Sequence, residues 1–252
     1  MTGRCERPAL PDVTLVAITS VALSATVDAL HASMRQVEFG KALLLSDKPP
    51  PPNADPAIEW RGIDRLGSRA DYSRFMLRDL APHVGTSHAL CVQWDGFVLD
   101  GDAWDPHFLD YDYIGAVWPQ FHDGFNVGNG GFSLRSRRLL EACAQLSFHE
   151  SQVEDVLIGR VCRPQLEDWG IRFAPESVAR RFAYERTSPT GDEFGFHGAF
   201  NLVRILSAEE SLDLFRKLDR GMLARLERLE ILRWALSHGE VRLALQLLLR
   251  LP

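Results

Sequence analysis

The chain has 252 residues, 46% of them hydrophobic and 25% charged, with a formal net charge of −6. Those values are ordinary for a soluble globular protein and allow one large domain, or a domain with a small appendage. The acidic balance argues against nucleic acid as a partner, but it leaves room for an anionic ligand held locally by backbone amides and a metal ion. The four cysteines, Cys5, Cys91, Cys143 and Cys162, include no C-x-x-C pair, so neither a zinc ribbon nor a dithiol redox site is indicated.

Arg4 and Arg7 precede an apolar run at 13–23, which has the outline of a signal-peptide core with a cleavage site near Ala25. Pro11-Asp12 interrupts that outline, so the run is read as a buried strand at 13–19 and a helix at 24–37 capped by Ser24, and a cytoplasmic location is expected. No stretch is long enough to span a bilayer as a helix. A second buried strand is predicted at 41–46 and a short third at 58–63, separated by the prolines of 49–56, which force an extended loop. Ser68 caps a helix to about Leu80, stopped by Pro82. A fourth buried strand, 88–93, delivers Trp94-Asp95-Gly96 at its carboxyl end. Further strands are predicted at 113–117, 132–134 and 171–175, with helices at 136–146 and 153–166.

Strand–helix alternation in the first 95 residues predicts an α/β fold, a mainly parallel sheet flanked by helices. In such sheets ligands sit at the carboxyl ends of the strands, where Asp95 falls. From Ser207 onward leucines recur on helical faces, so the chain divides into an α/β domain at 1–205 and a helical C-terminal appendage at 206–252. The appendage is expected to pack on the domain or to offer a surface for self-association.

Four clusters carry chemistry. Asp95, after Gln93-Trp94 and before Gly96, suits a divalent cation that prefers oxygen, although an Asp-Gly turn is common for structural reasons alone. Trp94 is a stacking surface or a core residue. Gly128-Asn129-Gly130-Gly131 permits close backbone approach to a ligand, with Asn129 offering an amide. Ser133 stands where a dinucleotide fingerprint needs glycine, which removes that reading. Glu154-Asp155 opens a helix, where acids also complement the macrodipole; in the functional reading one of them takes a proton from an incoming hydroxyl. His197, in Phe194-Gly195-Phe196-His197-Gly198, is a structural histidine or completes a metal site with a carboxylate.

In this order the clusters resemble glycosyltransferases of the GT-A fold, which carry a metal-binding D-x-D motif after a central strand, a glycine-rich loop, an acidic pair supplying the base and a late metal-binding histidine. More narrowly, Gln-Trp-Asp-Gly (93–96), Tyr-Asp-Tyr-Ile-Gly-Ala (111–116), Gly-Asn-Gly-Gly-Phe-Ser-Leu-Arg-Ser (128–136) and Glu-Asp-Val (154–156) are similar to an uncharacterised bacterial glycosyltransferase-like family, over roughly residues 12–201.

The resemblance implies a GT-A-like, Rossmann-like sheet and transfer of a sugar from a nucleotide-diphosphate-sugar donor to a glycan or other hydroxyl acceptor, assisted by Mn²⁺ or Mg²⁺. It implies Asp95 and His197 as metal ligands, Gly130 and Gly131 beside donor and acceptor, and Asp155 as base with Glu154 its partner. Thr19, Ser20 and Asp47, at the ends of the first two strands, are candidate nucleoside contacts. The sequence departs at Gln93, where D-x-D has its first acid, which leaves the cation less negative charge. Two other classes stay open: a glycoside hydrolase using Asp95 and Asp155 as its carboxylates, and a non-catalytic sugar-nucleotide or glycan-binding module.

Overall fold

The computed structural model describes residues 7–148, 152–219 and 222–249; Arg4 and Cys5 lie outside them. The first part of the chain runs β1 (Ala9–Thr19), α1 (Leu23–Gln36), β2 (Glu38–Ser46), β3 (Ile58–Gly62), α2 (Arg69–Arg78) and β4 (His88–Val92). Then follow β5 (Tyr113–Ile114), β6 (Phe132–Ser136), α3 (Arg137–Cys143), α4 (Glu154–Val156), α5 (Arg163–Asp168) and α6 (Glu176–Phe182). A two-stranded ribbon, β7 (Ala183–Tyr184) and β8 (Gly195–Phe196), leads to α7 (Ala199–Ile205), α8 (Ala208–Lys217), α9 (Arg225–Ser237) and α10 (Val241–Leu249).

The main sheet has six strands in the order β3-β2-β1-β4-β6-β5. The first four are parallel, and β6 runs against β4 with Phe132 opposite Val92. β1 is buried on both faces, as a central parallel strand flanked by helices must be. Leu15 and Ala17 join the cluster under α1, and Val16 and Ile18 join the one under α2, which follows from side chains alternating across a strand. This is the mainly parallel α/β sheet expected from the alternation.

Several expected boundaries shift. Helix α1 starts at Leu23 with Ala22, not Ser24, at its cap. Ala22 adopts a left-handed φ of 49°, and its carbonyl accepts from both the backbone and the hydroxyl of Thr26. The strand expected at 113–117 ends at Ile114, and 171–175 contributes only a single bridge from Phe173 to Tyr113. The helix expected over 153–166 is broken into α4, a π-helical turn at Leu157–Val161 and α5. Pro164 in the first turn of α5 has no N–H to continue the ladder. Gly159 lies against Trp118, an approach that a longer side chain would block.

Helices α7 to α10 share one hydrophobic cluster with Ala25 of α1 and its cap Ala22, and with Tyr184 and Phe196 of the ribbon. Trp94 and Phe97, just past β4, pack on the same cluster. The C-terminal helices therefore back the segment that carries Asp95. Among the described residues no helix is long and apolar enough to cross a membrane.

Candidate functional site

A cleft of about 520 Å³ opens at the carboxyl ends of β1 and β4. Thr19, Ser20, Gln93, Trp94, Asn129, Gly130, Gly131, Glu154, Asp155 and His197 all line it, together with Tyr72, Trp118 and Glu185. Asp47 is not among the lining residues. Asp95 sits behind the wall, 7% exposed. The antiparallel sense of β6 is what brings the glycine turn here, because its first residue, Phe132, is the one opposite the end of β4.

The turn is shaped by what must fit against it. Asn129 takes a left-handed φ of 67°, a conformation asparagine tolerates, and its Oδ1 accepts from Gly131 N at 3.1 Å. A Cβ on Gly130 would lie 2.0 Å from Glu154 Oε1, and one on Gly131 would lie 2.0 Å from His197 Nε2. Gly128 stands equally close to the Trp118 ring. The glycines thus make room for particular side chains of the cleft. Gly131→Ala should overpack the site, costing about 1–3 kcal/mol and displacing the imidazole; thermal denaturation reads this, and an unchanged melting curve would show that His197 is not held there.

Ribbon β7–β8 supplies His197. Tyr184 and Phe196 are paired in register, so Glu185 and His197 leave the ribbon side by side. His197 Nδ1 lies 3.3 Å from Glu185 Oε1, and Nε2 lies 3.3 Å from Asp95 Oδ1 and 3.4 Å from Gln93 Oε1. Burial opposes a charge on this imidazole, but the Asp95 and Glu185 carboxylates outweigh it and hold its pKa well above the ordinary value. Burial also acts to raise the Glu185 pKa, and the hydrogen bond with His197 overrides it, leaving the carboxyl below the usual range. Asp95 Oδ1 is within ion-pair distance of His197 but is not aligned as a hydrogen bond, so this buried oxygen has no hydrogen-bond partner. Gln93 Nε2 donates to the Tyr72 hydroxyl at 3.0 Å, which turns Gln93 Oε1 toward His197.

The two acids of α4 differ sharply. Glu154 is buried and forms an ion pair with Arg135 at 3.2 Å. Arg135 is itself fully buried and also donates from Nε to Ser133 Oγ. Burial raises the Glu154 pKa against the pull of Arg135. Asp155 instead faces the cleft, its Oδ2 accepting from Gly130 N at 3.2 Å and its Oδ1 from Val156 N at 2.7 Å.

Sequence reasoning missed Glu185, Tyr72, Trp118 and Arg135. Glu185 follows a two-residue strand, too short to leave a periodic pattern, and its pairing with His197 exists only through the ribbon register. Arg135 alternates on β6 as an inward residue, which composition alone would read as exposed.

Among the described residues, no group of three or more His, Cys, Asp or Glu side chains is arranged to hold a metal ion. A cation at Asp95 and His197 would need its third protein donor from an amide. The atoms near His197 Nε2 meet that need: a carboxylate oxygen that lacks a hydrogen bond, an amide oxygen and an imidazole nitrogen are compatible with Mg²⁺ or Mn²⁺.

Comparison with solved structures returns a galactosyltransferase, LgtC, crystallised with donor and acceptor sugar analogs. It aligns with TM-score 0.50 and 14% identity over 86% of this chain and 99% of that one. A glycosyltransferase involved in the glycosylation of the major capsid of PBCV-1 aligns with TM-score 0.48 and 11% identity, over 81% and 98%. At these identities the likeness is one of fold, and the fold is that of GT-A glycosyltransferases. No curated protein sequence matches the chain. A family model described as "Protein of unknown function (DUF5672)" matches residues 61–197, from β3 to the histidine of the cleft, and the chain belongs to that family.

Proposed function

We propose that the protein is a glycosyltransferase that moves a sugar from a nucleotide-diphosphate donor to an acceptor hydroxyl. The observation that carries the reading is the buried Oδ1 of Asp95, ion-paired with His197 Nε2 but without a hydrogen-bond partner, beside Gln93 Oε1 and behind a cleft that Asp155 also lines. The GT-A fold supports it.

In this reading Thr19 and Ser20, at the end of β1, lie on the nucleoside side of the cleft. Asp95, His197 and Gln93 would hold Mn²⁺ or Mg²⁺, which would supply positive charge beside the leaving nucleoside diphosphate. Asp155 takes the proton of the acceptor hydroxyl, its carboxylate oriented by the backbone N–H groups of Gly130 and Val156. Glu154, sealed against Arg135, holds the glycine turn in place instead of exchanging protons.

A nucleoside diphosphate with Mn²⁺ should stabilise the folded protein, by about 2.7 kcal/mol at roughly 100 times its dissociation constant. Thermal-shift scans across the common nucleoside diphosphates, with Mn²⁺ and with chelator, check this. No shift at millimolar ligand with metal would overturn the reading. Binding without transfer or donor hydrolysis would point to a non-catalytic module, and glycan cleavage insensitive to chelator would point to a glycoside hydrolase.

A further inference from the structure

Glu185 lines the cleft, and the reaction above gives it no part. Its place is built by the fold. It leaves β7 beside the point where His197 leaves β8, and His197 N–H donates to Tyr184 O at 3.0 Å. Its Oε1 lies 3.3 Å from His197 Nδ1, which Asn129 Nδ2 also approaches at 3.1 Å, while Asp95 and Gln93 face the ring at Nε2. The ring cannot slide toward the glycine turn, because it already occupies the space where a Gly131 side chain would be. A histidine that ligates a cation through Nε2 carries its proton on Nδ1, and a carboxylate on that proton fixes the tautomer and the ring plane together.

We propose that Glu185 is a positioning residue: it accepts the His197 Nδ1 proton and so presents Nε2, beside Asp95 and Gln93, to the divalent cation of the donor complex. The proposal rests on the glycosyltransferase reading and adds to it the residue that orients the histidine. If Glu185 acted through its charge alone, Glu185→Asp would bind Mn²⁺ as the wild type does.

The test is Mn²⁺ binding by the full chain, followed by the paramagnetic resonance signal of free Mn²⁺. The protein is saturated with uridine or guanosine diphosphate, whichever the thermal scan selects, and nucleotide affinity is measured separately in chelator. Glu185→Gln should raise the Mn²⁺ dissociation constant about 10–100-fold, the usual effect of losing such an outer partner. Nucleotide affinity in chelator should stay at the wild-type value. Glu185→Asp, which keeps the charge and loses reach, should fall between. Wild-type Mn²⁺ affinity in Glu185→Gln, or in Glu185→Asp should Glu185→Gln fail to fold, overturns the role. Failure of the underlying reading looks different: the wild-type protein would take up neither nucleotide nor Mn²⁺, and the role would fall with it.

Discussion

Asp155→Asn is expected to lower turnover by roughly 10²–10⁴-fold, the usual contribution of a positioned acid–base group, while leaving nucleotide affinity at its wild-type value. The expectation follows from where the carboxylate stands. Asp155 faces the cleft from α4, with Gly130 and Val156 donating backbone N–H groups to its two oxygens. Asparagine keeps one of those acceptors and loses the capacity to take a proton. Asp95→Asn should behave differently, weakening nucleotide and Mn²⁺ binding together, because it removes the anionic oxygen of the proposed cation site. Donor hydrolysis or transfer, nucleotide affinity and melting temperature, measured for both variants, separate the two roles. Near-normal turnover by Asp155→Asn would remove it as the base.

Glu154→Ala should produce the largest loss of stability, about 3–5 kcal/mol, the cost of leaving a buried charge without its partner. The guanidinium of Arg135 is fully buried and its Nη1 already lacks a hydrogen-bond partner, so losing the carboxylate leaves Nη2 only its long contact to Gly130 O at 3.5 Å. For a domain of this size the change corresponds to a drop in melting temperature of about 6–20 °C. Glu154→Gln, which keeps the volume and an acceptor oxygen, should cost less. Thermal or urea denaturation of the pair decides the matter; a Glu154→Ala protein as stable as wild type would show that the ion pair does not hold the turn.

Much of this architecture was legible because its signals are local. The buried strands β1, β2 and β4 read directly from short apolar runs, and Ser68 caps α2 through Asp71 N as expected. The glycine turn and the acidic pair were visible as motifs, and the fold brings both to the cleft. What stayed hidden depends on contacts between distant parts of the chain. The break in the predicted 153–166 helix answers to the packing of Gly159 on Trp118. The difference between Glu154 and Asp155 is set by Arg135 on another strand, and neighbours in sequence gave no hint of which would be buried. The alliance of Glu185 with His197 spans a loop whose ends meet only in a two-residue ribbon.

The order of pairing in the sheet also has a consequence for how the molecule reaches its native state. β1 pairs with β2 across the short α1 connection, but its pairing with β4 joins residues as distant as Val13 and His88, and the ribbon carrying Glu185 and His197 comes later still. Closing loops of that span costs chain entropy before the new contacts repay it. The N-terminal β1–α1–β2 unit can therefore gain structure early, whereas the cleft needs residues from Thr19 to His197 and is completed last.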